Sequence, residues 1–431
     1  MAVSERHLYI PNFNRYPASV VRSIERIATA RGTIERARIL PAQEDLLRRD
    51  AKVGSVHYSN VIEGNELSEL DAMRAVEHEL DPTTKAKIEL VNYVAALEWI
   101  DERHAHDEIV YTSGFLKHLH HILTRGLGRE ADRFKPHHEG EWRDGEVVVE
   151  DAMTTYHVAP PQEQVDRLMH DRLEWLENKR TSGDYFGPIL AALGHFEVAE
   201  VHPFADYNGR AARVFAVAIL IREGTMTSRL FSPERYYAES RDAYYAALRA
   251  IKTTRNYDAW IEYYVTGLAQ EFERVAERVA DLNAVTGKVE SAVRLSRHQE
   301  KIVATLTAGG RRDITRAEVE ALTGLGRTAS YVELNQLVAA GVLEVLGGST
   351  RTTYRLPSRL RPAIGLGRRS ARRGPRPRWS EDRIRSELTS FAAELGRMPR
   401  RPDFEATGRT GLYIAASKAG GLSRWATELG Y

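Results

Sequence analysis

Residues 209–223 constrain the fold more than any other part of this sequence. They are apolar on nearly every side, and the eight residues from Val214 to Ile221 include no polar side chain. A helix that is apolar all round has to be enclosed by other secondary structure, and eight apolar residues are far too few to span a membrane. The segment therefore predicts the central helix of a bundle, and residues 189–201 just before it predict a second buried helix.

Much of the region 15–285 predicts further helices, with one exception. Apolar residues recur at three- and four-residue spacing in the segments Ser19–Leu40, Lys85–Arg103, Gln162–Arg180 and Ala238–Lys252. The exception is a pair of β-branched runs, Glu146–Val149 and Thr155–Val158, which is followed by Pro160 and Pro161. Such a pair predicts a β-hairpin. The expected fold class is mainly α, a helical bundle that carries one hairpin.

Charge is distributed unevenly along the chain. The 431 residues have a formal net charge of +1, but residues 295–431 hold 24 basic against 13 acidic residues. This imbalance predicts a polyanionic partner for the C-terminal part, although arginine supplies 51 of the 61 basic residues and a GC-rich genome can cause the same bias. The chain has no cysteine, which excludes disulfides and agrees with a cytoplasmic location. We expect no contact with a membrane.

The pattern changes after Leu282. Three short helical segments at 296–307, 315–323 and 327–340 precede two short strands around Gly347 and Gly348. This order predicts a winged helix-turn-helix over residues 290–357. Residues 358–378 are rich in Arg, Pro and Gly and predict a flexible linker, after which residues 379–431 predict a small helical module.

The residues from His202 to Arg213 hold the densest chemistry. The loop lies at a predicted helix N-terminus, whose N–H groups bind phosphate oxygens, and Asn208 is placed to cap that helix. Arg210 and Arg213 share one helical face and can donate forked hydrogen bonds to phosphates. Asp206 can hold Mg²⁺, and His202 can take a proton near neutral pH. Each residue alone has a plain structural explanation, but the combination predicts a nucleotide polyphosphate site.

The sequence of this segment, His-Pro-Phe-Ala-Asp-Tyr-Asn-Gly-Arg-Ala-Ala-Arg, resembles the Fic-domain signature, His-Pro-Phe-x-(Asp/Glu)-Gly-Asn-Gly-Arg-x-x-Arg. Similarity extends over residues 15–285, with the core at 111–285, and includes Gly140–Arg143, Tyr244–Tyr245 and Trp260–Tyr264. One position departs, because Tyr207 stands where the family usually has glycine. If that position needs a positive φ, tyrosine is strained there, which bears on efficiency or on the phosphoryl group transferred.

The resemblance implies transfer of AMP from ATP to a hydroxyl side chain of a protein, with Mg²⁺ as a cofactor and release of pyrophosphate. His202 would be the base that deprotonates the hydroxyl, and Asp206 would bind the metal. The residues implied to touch the nucleotide are Val149, Asn208, Gly209, Arg210, Arg213 and Tyr244. The hairpin would bind the protein substrate through its main chain, unless it is an ordinary structural hairpin. Another donor, such as UTP or a choline nucleotide, stays open.

A second motif lies upstream, at Ser59-Asn-Val-Ile-Glu63-Gly64. Ser59 and Glu63 lie on one helical face, and Gly64 can end the helix at once. In isolation Glu63 would be a solvated residue near a helix end. The motif is similar to the inhibitory helix of Fic proteins, which implies that Glu63 pairs with Arg213 and excludes the γ-phosphate. Residues 1–110 are therefore expected to be an N-terminal helical region with an inhibitory helix around 55–65.

His118, His120 and His121 do not share one helical face, so zinc binding is disfavoured and a solvated helix is expected. In the predicted winged helix, the residues expected to contact double-stranded DNA are Arg327, Thr328, Ser330, Tyr331 and Asn335 on the recognition helix and Arg351 on the wing. Protein contact or dimerisation is the alternative use of this module.

Residues 379–431 resemble the homing-endonuclease-associated repeat, a module linked to DNA binding, with no nuclease motif beside it. A rival function stays open for the whole chain: a nucleotide-sensing, DNA-binding transcription regulator with weak or lost transferase activity. A homodimer is also possible in either case.

Overall fold

The structure is a computed structural model. It describes residues 16–127, 139–151, 154–226, 229–254, 256–347, 352–361, 381–395, 397–406, 412–413, 416–417, 419 and 421–429. The chain forms two compact units, Met1–Leu366 and Gly367–Tyr431. Within the described residues, no helix is both long enough and apolar enough to cross a membrane.

The body of the first unit is helical. Its helices are α1 (Ala18–Arg36), α2 (Pro41–Ile62), α3 (Glu69–Val76), α4 (Lys85–Ala105), α5 (Ser113–Thr124), α6 (Gln162–Ser182), α7 (Gly187–Val201), α8 (Asn208–Arg222), α9 (Pro233–Glu239), α10 (Arg241–Thr254) and α11 (Asp258–Glu290). The mainly α fold class is thereby confirmed.

Helices α7 and α8 form the centre of the bundle, as their sequences predict. Every residue from Ala211 to Ile221 is buried, because α4, α5, α7 and the end of α2 surround the helix. Gly194 on α7 permits this packing, since a β-carbon there would collide with Ile219 on α8. The two helices meet closely enough to fix both ends of the loop that joins them, residues 202–207.

The hairpin forms, but the bounds of its strands differ from those that the sequence predicts. The strands are β1 (Val148–Asp151) and β2 (Thr154–Val158), and they pair antiparallel. The register shifts between Val149 and Glu150, where Tyr156 of β2 is skipped, as in a β-bulge, which adds a residue to one strand. β1 itself lies two residues further along the chain than the β-branched run alone predicts.

The last part of the first unit packs on the body. It contains α12 (Arg297–Thr307), β3 (Ile314–Thr315), α13 (Arg316–Thr323), α14 (Arg327–Ala339), β4 (Glu344–Leu346), β5 (Thr353–Arg355) and a 3₁₀ turn (Ser358–Leu360). The strand order is β3-β5-β4, all antiparallel. Its apolar core includes Leu40, just before α2, and Val285 and Val289 from the end of α11. The predicted boundary near 290 thus falls at the end of a helix that both parts share.

The second unit contains α15 (Glu381–Leu395), α16 (Arg401–Ala406) and α17 (Leu422–Leu429). Phe391, Phe404 and Trp425 form the centre of a small apolar core, as the return of the helical pattern predicts. Most of the predicted linker, residues 362–378, lies outside the described residues.

Candidate active site

The loop between α7 and α8 is held by backbone geometry that few side chains adopt. His202 ends α7 with φ 49°, and Tyr207 precedes α8 with φ 63°, both left-handed. The prediction that Asn208 caps α8 is wrong by one residue, since Asn208 is already helical. Its side-chain amide instead accepts from the N–H of Phe204 and donates to its carbonyl, both at 2.9 Å, which closes the loop on itself.

The imidazole of His202 has a fixed tautomer. Its Nδ1 lies 3.1 Å from the carbonyl oxygen of Ala199, so Nδ1 carries the hydrogen and Nε2 holds the lone pair in the neutral ring. Burial is the largest influence on the ring and lowers the pKa of His202 below its ordinary value, against the opposing effects of the Ala199 carbonyl and of Glu63. His202 is therefore neutral at pH 7 and can accept a proton at Nε2.

Arg213 and the end of α2 meet as the upstream motif predicts. The Arg213 Nε donates to Ser59 Oγ at 2.8 Å, and Nη2 donates to the Ser59 carbonyl at 3.1 Å and to Glu63 Oε1 at 2.7 Å. The arginine side chain is 1% exposed, whereas that of Glu63 is 28% exposed. Gly64 follows with φ 85°, the left-handed conformation that ends a helix.

The Glu63 carboxylate lies directly over the start of α8. A β-carbon on Gly209 would be 2.5 Å from Glu63 Oε1 and 3.2 Å from Arg213 Nη1, so glycine leaves room for an anion at this point. Burial alone would raise the pKa of Glu63, but the charges of Arg213 and Arg210 outweigh it and lower the pKa. A negatively charged oxygen is therefore stable in the place where a phosphate oxygen would meet the helix N-terminus.

Asp206 is exposed at the rim of this loop. Its Oδ1 accepts from the N–H of Tyr207 at 2.7 Å, which orients the carboxylate. Within the described residues no group of three or more carboxylate or imidazole side chains is placed to hold a metal. A single oriented carboxylate fits Mg²⁺, which usually takes one or two carboxylates and completes its shell with phosphates and water.

Tyr244 lies behind Arg213. Its hydroxyl is 2.9 Å from Nε2 of the buried His195. Burial raises the pKa of Tyr244, and the nearby charge of Arg213 opposes that rise, so the hydroxyl lies near the anion site. Val149 belongs to β1, but its side chain lies outside the described part of the structure. The sequence-based role of Val149 stays a prediction.

Two side chains that hold this loop were not predicted. His120, expected to be solvated, is fully buried: its Nδ1 accepts from the Gly140 N–H at 3.1 Å, and its Nε2 lies 3.1 Å from the Asp206 carbonyl. Its ring stacks on Phe204 with centroids 3.7 Å apart. No sequence pattern distinguishes His120 from its neighbours His118 and His121 as the histidine that holds the loop.

The second is Arg143, in the Gly140–Arg143 segment. Its Nε donates to the His202 carbonyl at 3.0 Å, Nη1 donates to the Gly145 carbonyl at 2.7 Å, and Nη2 donates to the Pro160 carbonyl. Arg143 thus joins both ends of the hairpin to the residue that ends α7. The motif match could have identified it, although not its partners.

The residues predicted to contact DNA differ in their exposure. Arg327, Thr328, Tyr331 and Asn335 are exposed on α14, whereas Ser330 is fully buried. The prediction for Ser330 is wrong, because its position on the helix faces the core around Leu334. Arg351 lies outside the described residues.

Comparison with known proteins agrees with this geometry. Residues 111–220 match the model of the Fic/DOC family. The chain is 28% identical over 204 residues to "Protein adenylyltransferase Fic" of Nematostella vectensis, covering 46% of this chain and 43% of that protein. It is 27% identical over 205 residues to the protein of the same name from Aedes aegypti, covering 47% and 37%.

The chain therefore spans less than half the length of these two relatives. A crystal structure of a Fic family protein from Desulfovibrio desulfuricans G20 matches with a TM-score of 0.56 at 21% identity, over 81% of this chain and 99% of that one. At this identity the match establishes the fold. The segment 111–220, similar to the Fic/DOC family, includes the loop from His202 to Tyr207 and most of the helix that follows it.

Proposed function

We propose that this protein is an auto-inhibited adenylyltransferase that transfers AMP from ATP to a hydroxyl side chain of a protein. The observation that carries the proposal is the position of His202, a neutral imidazole with a fixed tautomer, close enough to Glu63 for each to act on the pKa of the other, while Glu63 itself lies against Gly209 and Arg213 in the anion site. The names of the similar proteins from Nematostella vectensis and Aedes aegypti support the same reaction.

In the proposed reaction, His202 Nε2 takes the proton from the target hydroxyl. The hydroxyl oxygen then forms a bond to the α-phosphorus of ATP, while the bond from that phosphorus to the bridging oxygen breaks. The electron pair leaves with pyrophosphate, whose charge Arg210 and Arg213 would neutralise. Asp206 would hold Mg²⁺, which supplies charge neutralisation for the phosphates when bound.

Glu63 is proposed to inhibit by occupying the anion site. Because Arg213 donates from Nε and Nη2 to Ser59 and Glu63, the fork formed by these two nitrogens is not available to a γ-phosphate. ATP can then bind only with its α-phosphorus turned from the attacking hydroxyl, and such a displacement costs about 10²-fold in rate. The main chain of β1, paired in the described structure only with β2, is proposed to bind the target segment as an added strand.

The proposal is tested by covalent labelling. The Glu63→Gly variant is incubated with Mg²⁺ and with ATP, GTP, CTP or UTP, each labelled in its α-phosphate. We expect the protein to label itself with ATP in preference to the others. Labelling with none of the four would contradict the transferase proposal, and a preference for another nucleotide would change the donor alone.

The pH dependence of the rate follows from the buried imidazole. The pKa of His202 is lowered from 6.5, and a base works only when deprotonated. We expect kcat/KM of the Glu63→Gly variant to be constant at neutral pH and to fall as the pH drops through a midpoint below 6.5. Loss of Glu63 removes a carboxylate that raises this pKa, which moves the midpoint in the same direction. A midpoint at or above 6.5 would contradict the assignment.

A DNA-binding role for the C-terminal part is also proposed. Its support is the excess of basic residues in 295–431 and the exposed face of α14 with Arg327, Tyr331 and Asn335. Helices of this kind enter the major groove, while nearby basic residues contact phosphates.

We therefore expect the full chain to bind duplex DNA with an affinity that falls about 10³-fold or more between about 50 and 200 mM salt. Arg327→Ala should weaken binding by about 1–3 kcal/mol. Replacement of Arg31, a partly exposed arginine of α1 that pairs with Glu35, by alanine should not. These affinities can be measured by fluorescence anisotropy. A flat salt response would favour the alternative use of this module in protein contact.

One observation favours the rival function, a DNA-binding regulator that senses nucleotide. Helix α2 reaches from the C-terminal part to the active site: Gln43 Nε2 donates to Thr307 Oγ1 of α12 at 2.8 Å, and the other end carries Glu63. If sensing is the function, ATP should change the DNA affinity of the His202→Ala variant, because binding couplings are reciprocal. If ATP does not change the DNA affinity of this variant, the sensing function is rejected and the transferase proposal stands.

A further inference from the structure

Tyr207 occupies a position that disfavours any residue with a β-carbon. Its φ of 63° and ψ of 12° are left-handed, a conformation that glycine adopts at no steric cost. The side chain is nevertheless 4% exposed and packs against Leu127 and Ile88. Its hydroxyl donates to Glu89 Oε1 at 2.7 Å. A strained backbone at a functional loop calls for a specific function of the side chain.

Arg210 lies between that ring and the same carboxylate. Its guanidinium carbon is 4.2 Å from the centroid of the Tyr207 ring, within the range of a cation–π contact. Its Nη1 is 3.1 Å from Glu89 Oε1, and the Glu89 side chain is 7% exposed. The second oxygen of Glu89 accepts from Asn65 Nδ2 at 2.8 Å. The carboxylate is therefore fixed at both oxygens, and it fixes Arg210 in turn.

The two arginines of the motif are held in different ways. Arg213 donates to Ser59 and Glu63, at the end of α2. Arg210 is held chiefly by α4 and by its own loop, and its contact with α2, to Asn60 Oδ1, is longer at 3.5 Å. Release of α2 would free Arg213 for a ligand but leave Arg210 in place.

We propose that Tyr207 is a positioning residue that, with Glu89, holds Arg210 ready for the phosphates beyond the α-phosphate of a nucleoside di- or triphosphate. The inference rests on the proposed nucleotide site. Holding a cation in its binding position before the ligand arrives lowers the entropy lost on binding. Glycine at this position supplies neither the ring nor the hydroxyl, so the tyrosine is functional and not merely tolerated.

The test measures nucleotide binding by calorimetry in the Glu63→Gly background with Mg²⁺. Tyr207→Gly should weaken the binding of ATP and ADP about tenfold, as expected for loss of a desolvated cation–π contact and a charge-assisted hydrogen bond. AMP, which lacks the outer phosphates, should bind within about twofold of the parent. Tyr207→Phe keeps the ring and should weaken ATP binding about threefold. Glu89→Gln, which keeps the shape but removes the charge, should show the same selectivity for ATP and ADP.

The chain contains a matched control outside the site. Tyr111 donates to Glu223 Oε1 at 2.8 Å, and Arg222 lies over its ring at 4.6 Å. Tyr111→Phe should therefore lower thermal stability as Tyr207→Phe does, without a change in nucleotide affinity. If Tyr207→Gly does not fold, Tyr207→Phe and Glu89→Gln carry the comparison.

Two results would overturn the inference: ATP affinity in Tyr207→Phe and Glu89→Gln equal to that of the parent, or equal losses for ATP, ADP and AMP, which indicate general damage. A parent variant that binds no ATP would instead contradict the proposed function itself. The two failures are therefore distinguishable.

Discussion

Replacement of His202 by alanine is expected to abolish nearly all transfer while nucleotide binding stays almost unchanged. General-base catalysis contributes about 10²–10⁴-fold to a rate, and the phosphates would be held by Arg210 and Arg213 rather than by the imidazole, whose Nδ1 bonds the Ala199 carbonyl. The rate is measured as label incorporated from ATP in the Glu63→Gly background, and binding is measured by calorimetry.

The exposed His118 on α5 provides the control for this change. His118→Ala should label at the parental rate, because its ring packs on Trp99 and not on the loop of His202. Undiminished labelling by His202→Ala would remove His202 from the mechanism. Loss of ATP binding in His202→Ala would instead assign the residue to the nucleotide site.

Replacement of Glu63 by glycine is expected to raise self-labelling or target labelling at least about tenfold. The carboxylate accepts from Arg213 at 2.7 Å and lies over Gly209, so its removal opens the anion site and frees the arginine. Correct alignment of ATP can raise the reaction rate about 10²-fold where misalignment is what limits it. The rate is compared with that of the unaltered chain at equal protein and Mg-ATP concentrations.

The effect should depend on Arg213. In the Glu63→Gly, Arg213→Ala double variant the gain should vanish, because the site then lacks its second phosphate-binding arginine. Glu66→Gly is the matched control, since Glu66 is exposed three residues further along and outside the anion site. If Glu63→Gly and the unaltered chain are equally active, Glu63 is an ordinary residue at a helix end and does not inhibit.

Sequence patterns predicted those parts of the fold that are determined by residues close together in the chain. The apolar run at 214–221 had to be enclosed, and the two motifs that carry Glu63 and Arg213 identified groups about 150 positions apart that meet in the structure. Strand bounds were less certain: β1 lies two residues further along the chain than its β-branched run, and the register shifts between Val149 and Glu150. A β-bulge changes the register without a change in composition.

The remaining contacts depend on which helix packs against which, and periodicity does not determine this. His120 was expected in solvent but lies between Gly140 and the Asp206 carbonyl. Glu89 showed no motif, yet it meets Tyr207 and Arg210 from α4. Ser330 was assigned to the exposed face of α14 and faces the core. Single polar residues on amphipathic helices carry too little pattern to separate these cases.

His202 and the two arginines are proposed to transfer an adenylyl group once Glu63 is removed. The most direct measurement is the intact mass of the Glu63→Gly variant after incubation with Mg-ATP, beside the unaltered chain and the Glu63→Gly, His202→Ala double variant. We predict an added mass of one adenylyl group in the single variant, and little or none in the other two. An added phosphate, or no added mass in the single variant, would contradict the claim.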